Sequence, residues 1–421
     1  MWLSAVVVPL AAVGCAGETG DGFRVDDRER DAASCGTGDD NTSCPGAALF
    51  AIAGNPSARE FAVVWQGSYE RTGLGAPVVY ARRFDARTGK ARGRSVTLPG
   101  VAAGYSLMVA HDPHTRTYAV AAQDAGAGGD APLPPVRFQR FTHALRPVGS
   151  PLDLGSWALK ALAVEPGGRV AVVGAENQRA INGGARPPGP PLRLRVETLD
   201  ARDRSLRVER RPGPSPDTLF AGDTQAAYDP AARALLVSWT PLGPGSDEAI
   251  RVERVGPGRD GGVLSVPAPR LEPASGGSSL ACNGARGDCA IVYPARTASR
   301  ALLGDLYARR LEHGGRAAGP PVRIARGVRG TFGAAAHGAG YTVGWNEGLI
   351  QAPVRAHAVV ARLSGAPART QTLLDDELPG PAAMAGGAGT ATDLLVWRPL
   401  SGDQGSAQLF GRILRVSDPP E

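Results

Sequence analysis

The sequence predicts an all-β protein, a seven-bladed β-propeller of four-stranded antiparallel blades about 53 residues long, and three observations predict it. The first is composition. Glycine (57) and proline (36) make up 93 of 421 residues, only 20% of residues are charged, and 43% are apolar, which describes short strands joined by many turns. The second is a repeated phrase: VVYARRFDARTGKARG at 78–93 returns as LYARRLEHGGRAAG at 306–319. The third is the texture between these phrases, in which paired apolar runs enclose Asp-Pro or Gly turns, the mark of a β-hairpin.

A Thr or Arg followed by an apolar residue closes seven strand-like runs, at Arg83-Phe84, Arg140-Phe141, Thr198-Leu199, Arg254-Val255, Arg310-Leu311, Arg362-Leu363 and Arg412-Ile413. The intervals are 57, 58, 56, 56, 52 and 50 residues. Upstream of each lies an apolar run, AVVW ending at Trp65, then AVAA, AVVG, LVSW, AIVY, TVGW and finally LLVW ending at Trp397. Each unit reads as hairpin, variable loop, third strand, turn and a weaker fourth strand such as RSVTLPG. The units run about 47–100, 101–154, 155–215, 216–271, 272–326, 327–379 and 380–421, and the third carries an insert, INGGARPPGPP. Such a unit exposes apolar surface on both faces until neighbours cover it, so a closed ring is the expected solution. The last unit is short, so its outermost strand is either missing or supplied by residues near 46–53.

Ahead of the ring, residues 1–14 read as an export signal, with an apolar run from Leu3 to Val13 too short to span a bilayer. Ala12-Val13-Gly14-Cys15 resembles the lipobox of bacterial lipoproteins, which implies cleavage and lipid attachment at Cys15. It departs from that pattern in having Ala12 for the usual leucine and no basic n-region, and an ordinary cleaved signal or a start codon further upstream stays open. Residues 15–46 read as an acidic Gly/Ser/Asp-rich tether; over 18–46 there are eight acids against Arg24, Arg28 and Arg30. With Cys15 set aside, the remaining cysteines fall into two short loops, Cys35 with Cys44 and Cys282 with Cys289, and two disulfides are expected in an exported chain.

Strands such as FAVVWQ (61–66) and LLVWRP (394–399), followed by YARRFDARTG (80–89), resemble the repeats of secreted bacterial propeller lipoproteins of the type abundant in myxobacteria. The resemblance covers 47–421 and implies fold rather than activity. No GH…WD pairing, double-glycine kelch signature, sialidase box or DxDxDG loop is present.

Chemistry is sparse in the sequence. No GxSxG, HExxH, P-loop or dinucleotide fingerprint occurs, so no catalytic residue, metal ligand or cofactor site is assigned. His111-Asp-Pro-His114 lies on a predicted hairpin turn and reads as a solvated turn before a metal grip. Asp39-Asp40-Asn41 reads as tether before calcium site. The acids Asp375, Asp376 and Glu377 leave open a glycan-cleaving pair. The recurrent arginine is expected to serve a contact that each blade makes with its neighbour rather than a ring of anion ligands.

Net charge is +6, carried by 44 arginines and only two lysines, Lys90 and Lys160, scattered without the clustering of a nucleic-acid reader. Setting aside the acidic 18–46 segment at −5 leaves +11 on the ring, which either attracts anionic partners or reflects codon usage. The reading is a non-catalytic cell-envelope lipoprotein, exported to the outer membrane or cell surface, held by lipid alone and monomeric. It binds or scaffolds protein or anionic polysaccharide through the loops near 66–77, 123–135, 177–191, 240–249 and 294–304; the alternative is a hydrolase or lyase acting on extracellular glycans.

Overall fold

A computed structural model describes residues 23–25, 49–67, 78–102, 106–124, 133–176, 193–212, 219–220, 224–239, 241–242, 250–256, 263–266, 278–284, 286–295, 304–328, 332–337, 340–347, 355–363, 369–377, 382–385, 392–397 and 409–415. Among them there is no α-helix, and seven four-stranded antiparallel sheets follow one another along the chain.

Sheet 1 comprises Phe50–Asn55, Glu60–Gln66, Val78–Asp85 and Val96–Ala102, and sheet 2 comprises Ser106–Asp112, Thr117–Gln123, Val136–Thr142 and Pro147–Asp153. Sheet 3 is Ala158–Glu165, Arg169–Glu176, Arg193–Leu199 and Ser205–Pro212; sheet 4 is Gln225–Asp229, Ala234–Trp239, Ile250–Val255 and Val263–Val266. Sheet 5 is Ser279–Asn283, Asp288–Ala295, Gly304–Glu312 and Arg316–Val328; sheet 6 is Phe332–His337, Gly340–Glu347, Arg355–Arg362 and Arg369–Glu377. Sheet 7 is Ala382–Ala385, Thr392–Trp397, Phe410–Arg415 and, arriving from the other end of the chain, Phe23–Arg24. The first strands of successive sheets are neighbours, and that of sheet 7 neighbours that of sheet 1, so the sheets close a ring consistent with seven propeller blades.

The second strands are the buried layer. EFAVVWQ, TYAVAAQ, ALLVSW and DCAIVYPA are buried at every position, because each is flanked by strands within its sheet and covered by a sheet on both faces. A strand buried on both faces reads as a continuous apolar run rather than an alternation, which is why these runs are the clearest landmarks in the sequence. Their side chains pack between sheets: Val64, Val120 and Phe141 fill the space between sheets 1 and 2, and Leu236, Ile291 and Tyr293 that between sheets 4 and 5. Fourth strands lie outermost and are wetter, the one in sheet 2 being exposed at nearly every position.

The closing strand corrects the sequence reading. Residues 50–55 form the innermost strand of sheet 1, and Phe23–Arg24, inside the segment read as tether, pairs with the third strand of sheet 7. Val25 N–H then donates to Leu409 O at 2.7 Å, and the fully buried Val25 side chain joins Phe61, Phe84, Leu394 and Ile413 between sheets 7 and 1. Burial of two apolar faces decides this, since an unpaired sheet edge with an apolar flank is completed by whatever strand can reach it. A short extra pair outside the repeat, Leu219–Phe220 with Pro241–Leu242, precedes and follows the first hairpin of sheet 4.

Candidate functional site

Register sorts the connections onto two ends of the ring. Gln66 faces Val79, Gln123 faces Val136, Glu176 faces Arg193 and Ala295 faces Asp305, so the second-to-third connections share one end, the loop end. The first-to-second and third-to-fourth turns lie at the other, the turn end. The loops expected to bind ligand fall largely outside the described residues, although the strand ends that bracket them are placed.

At the turn end one local device recurs among the described residues. The last residue of the first strand turns back on the backbone: Asn55 Oδ1 accepts from Ala58 N, Asp112 Oδ1 from His114 N, Asp229 Oδ1 from Ala231 N and Asn283 Oδ1 from Arg286 N. Asx side chains do this readily because their short carboxyl or amide oxygen reaches the backbone N–H two or three residues on.

At the junction of sheets 1 and 2 the device becomes a cluster. Glu60 is fully buried at the start of the second strand, and Arg83 and Arg92 each donate to its Oε2 at 3.3 Å. Tyr118 OH, from sheet 2, donates to Glu60 Oε1 at 2.8 Å. Asn55 Nδ2 lies 2.9 Å from His143 Nδ1 and 3.2 Å from Tyr118 OH, and His143 Nδ1 is 3.5 Å from Glu60 Oε1. A neutral His143 accepts from the Asn55 amide, whereas a protonated one donates to Glu60, so the imidazole has a partner in either state. Its side chain is 33% exposed, whereas Glu60 and Tyr118 are buried.

His111 sits behind, its ring centroid 5.4 Å from Tyr118 and 5.8 Å from His143, and its Nε2 is buried without a hydrogen-bond partner among the described residues. Burial, reinforced by repulsion from His143, lowers its pKa to about 4, so the ring is neutral at pH 7. Burial and the neighbouring Glu60 push the Tyr118 phenol well above its ordinary value. The arrangement offers one accessible proton acceptor, His143, backed by a carboxylate whose charge two guanidiniums balance.

The His111–His114 pair does not converge. His111 and Asp112 turn inward and are buried, against the expectation of a solvated turn, while Pro113 and His114 are exposed. Asp112 is claimed by Arg140, whose Nη1 donates to Asp112 Oδ2 at 2.6 Å, whose Nε meets Asp203 of sheet 3 at 2.5 Å, and whose Nη2 donates to Gly168 O at 2.8 Å. Arg140 is therefore the neighbour-contacting arginine that the repeat predicts. Arg254 bonds Ala232 O of its own sheet and lies beside Gly314 of sheet 5.

The repeat needs one correction. Arg83, Arg140, Thr198, Arg254 and Arg310 all stand opposite the first residue of their apolar run, but in sheets 6 and 7 that place belongs to Val360, opposite Thr342, and Ile413, opposite Leu394. Arg362 and Arg412 are displaced by two residues and by one. The equivalent positions are 50 and then 53 residues apart, and the one-residue shift at Arg412 points its side chain at the other face.

Of the remaining predicted sites, Cys282 and Cys289 form a disulfide across the first hairpin of sheet 5. Cys15, Cys35, Cys44 and Asp39-Asp40-Asn41 lie outside the described residues. Asp375, Asp376 and Glu377 lie on the outer strand of sheet 6, with Asp375 in register with His357. A cavity of about 480 Å³ opens at the turn end of sheet 5, lined by Arg286, Gly287, Asp288, Arg310 and Glu312. Sequence reasoning missed Glu60, His143, Tyr118 and Asn55, which are brought together only when sheet 2 packs on sheet 1. No helix among the described residues is long and apolar enough to cross a membrane, and no metal-binding group of three or more His, Cys, Asp or Glu occurs among them.

No protein-family model matches the chain, and no curated protein does. Solved structures match in fold. The polysaccharide lyase Uly1 superposes with a TM-score of 0.53 at 8% identity, over 94% of this chain and 98% of that one. The β-propeller domain of the Trilobed protease from Pyrococcus furiosus gives 0.47 at 9% identity, over 89% and 99%, and a subtype N10 neuraminidase-like protein of a bat influenza virus gives 0.42 at 10%, over 88% and 95%. At these identities the likeness is one of fold. The chain is a β-propeller.

Proposed function

We propose that this protein is a non-catalytic binding or scaffolding module of the cell envelope, exported by residues 1–14 and anchored by lipid on Cys15. Its ligand is a protein or anionic polysaccharide met by the second-to-third loops. The observation that carries this reading is the register, which gathers those connections at one end of a closed, rigid ring while the other end is occupied by tight, internally bonded turns. The Cys282–Cys289 bond supports an oxidising compartment, and the +11 outside the acidic segment supports an anionic ligand. A glycan array and a pull-down with the full chain, each at low and high salt, test it. Salt-sensitive capture of acidic glycans or of one envelope protein is the expected result, and no capture at either salt would overturn it.

One observation favours a second reading, action on extracellular glycans. His143 is an accessible imidazole held by Asn55 and Glu60 beside the Tyr118 phenol, an arrangement able to exchange a proton with a bound sugar. Turnover of polyuronate or sulfated glycans that falls at least a hundredfold in His143→Gln, with stability unchanged, would establish it.

A further inference from the structure

The ring has two unlike ends, and the way the N-terminal strand enters it bears on which end faces a membrane. Phe23 pairs with Gly411 and Arg24 with Phe410, antiparallel to a third strand that runs from the loop end to the turn end. The chain therefore runs through this strand toward the loop end, and the strand itself lies at that end, opposite the first two residues of the third strand. Val25 is then locked by its bond to Leu409 and by Arg82 Nη1, which donates to Val25 O at 3.0 Å. Only seven residues, 16–22, separate Cys15 from Phe23. Fully extended they span at most about 29 Å, so a lipid on Cys15 would hold the ring close to the bilayer rather than at the end of a 32-residue tether.

The turn end also carries a charge pattern that folding alone does not explain. Three first-to-second turns, Asn55-Pro-Ser-Ala-Arg59, Asp112-Pro-His-Thr-Arg116 and Asp229-Pro-Ala-Ala-Arg233, close with an arginine in the left-handed region, at φ of 50°, 55° and 50°. The matching turns of sheets 3 and 5 use Gly168 and Gly287 there, at 77° and 67°. A side chain in that conformation costs about 1–2 kcal/mol, and glycine would relieve it. All three arginines are exposed and none meets a carboxylate among the described residues.

Arg87 and Lys90, on the third-to-fourth turn of sheet 1, stand next to Arg59, whose carbonyl accepts from Ala86 N, and Arg146 occupies the corresponding turn of sheet 2; all three are exposed. The acids of this end are turned inward or paired: Asp85 with Arg92, Asp112 and Asp203 with Arg140, Asp200 with Arg204. Asp153, exposed and paired with Arg137 at 3.4 Å, lies at the loop end.

We propose that the turn end of the ring docks on a membrane, with Arg59, Arg116, Arg233, Arg87, Lys90 and Arg146 against lipid phosphates and the loop end turned away toward ligand. This rests on the reading of Cys15 as the lipid anchor, whose seven-residue link to Phe23 is long enough to reach the end where these cations are. Clusters of four or more cations near a lipid-anchored segment are the pattern that anionic headgroups recognise.

The test uses the full chain carrying Cys15→Ser, so that no acyl group contributes, and vesicles of phosphatidylglycerol with phosphatidylethanolamine. Partition is expected at low salt and release at high salt. Arg59→Gly, Arg116→Gly and Arg233→Gly together should lower partition on the order of a hundredfold, at roughly fivefold per cation. They should leave the melting temperature equal or higher, since glycine suits that conformation. If that variant does not fold, Arg87→Gln with Lys90→Gln and Arg146→Gln replaces it, with the same expected loss. Equal partition of parent and variant would overturn the proposal, and so would retention of the parent on an anionic polysaccharide resin without binding to vesicles. Mass spectrometry of the native protein decides the anchor separately: an acylated Cys15 with charge-independent partition sinks only the docking surface, and a free Cys15 with charge-dependent partition sinks only the anchor.

Discussion

Arg140 is the residue on which the seam between sheets 2 and 3 turns. It is 1% exposed and satisfies Asp112, which is itself fully buried, together with Asp203 and the carbonyls of Gly168 and Asp200. Removing one member of a buried pair strands the other charge, so Arg140→Ala should lose about 3–5 kcal/mol in urea unfolding, and Arg140→Lys should recover little because an ammonium cannot make the forked contacts. Asp393 poses the opposite problem. It replaces, in sheet 7, the tyrosine that Tyr118 and Tyr341 provide in sheets 2 and 6, and neither of its oxygens is hydrogen-bonded among the described residues. Burial raises its pKa to about 7, with the nearby Thr342 hydroxyl opposing this weakly. The folded chain thus holds a proton that the unfolded chain releases near pH 4, so stability falls as pH rises from about 4 to 7. Asp393→Asn should abolish that fall, read as melting temperature against pH. His111 acts with the reverse sign: folded, it resists protonation down to about pH 4, so stability falls as pH drops below its ordinary 6.5. Thermal scans of His111→Gln between pH 4 and 7 should show that acid-side loss removed.

At the scale of the strand and the turn, the first hairpin of sheet 5 differs from its equivalents in being covalently closed. Cys282 and Cys289 stand opposite each other in register. Opening this eight-residue ring with Cys282→Ser and Cys289→Ser together should cost about 2.5 kcal/mol by chain entropy, measured in denaturant without reductant. The pairing was legible because both cysteines flank a short turn between apolar runs. The closing strand was not. Phe23-Arg24-Val25 shows the alternation of a strand, but over three residues inside an acidic stretch it lacks the length that distinguishes strand from chance. Its identity comes from the apolar edge that sheet 7 offers. Val25→Asp should therefore free the strand, placing an uncompensated charge against Phe61 and Leu394, and amide exchange along Phe410–Arg415 should accelerate while sheets 3 to 5 keep their protection.

Across the whole molecule, ring closure means that no sheet is terminal. Each second strand is buried because a neighbour covers either side, and the molecule should unfold with few partly open forms as long as sheet 7 is completed by the N-terminal strand. Closure also separates the ends: one gathers the second-to-third connections, the other the bonded turns and their outward cations. Ligand binding by the loop end should survive loss of the turn-end arginines.

The chain's own periodicity determined the fold class and the order of the strands, because a strand buried on both faces must be written as an apolar run and seven such runs recur with turn residues between them. Only the tertiary structure decided which strand closes the ring, that Arg362 and Arg412 leave the repeat's register, and that Glu60, Asn55, Tyr118 and His143 meet. Those four residues span positions 55 to 143, and no local spacing relates them. Their proximity is a consequence of two sheets packing face to face, a contact set by buried apolar area summed over the whole interface rather than by any short stretch of sequence.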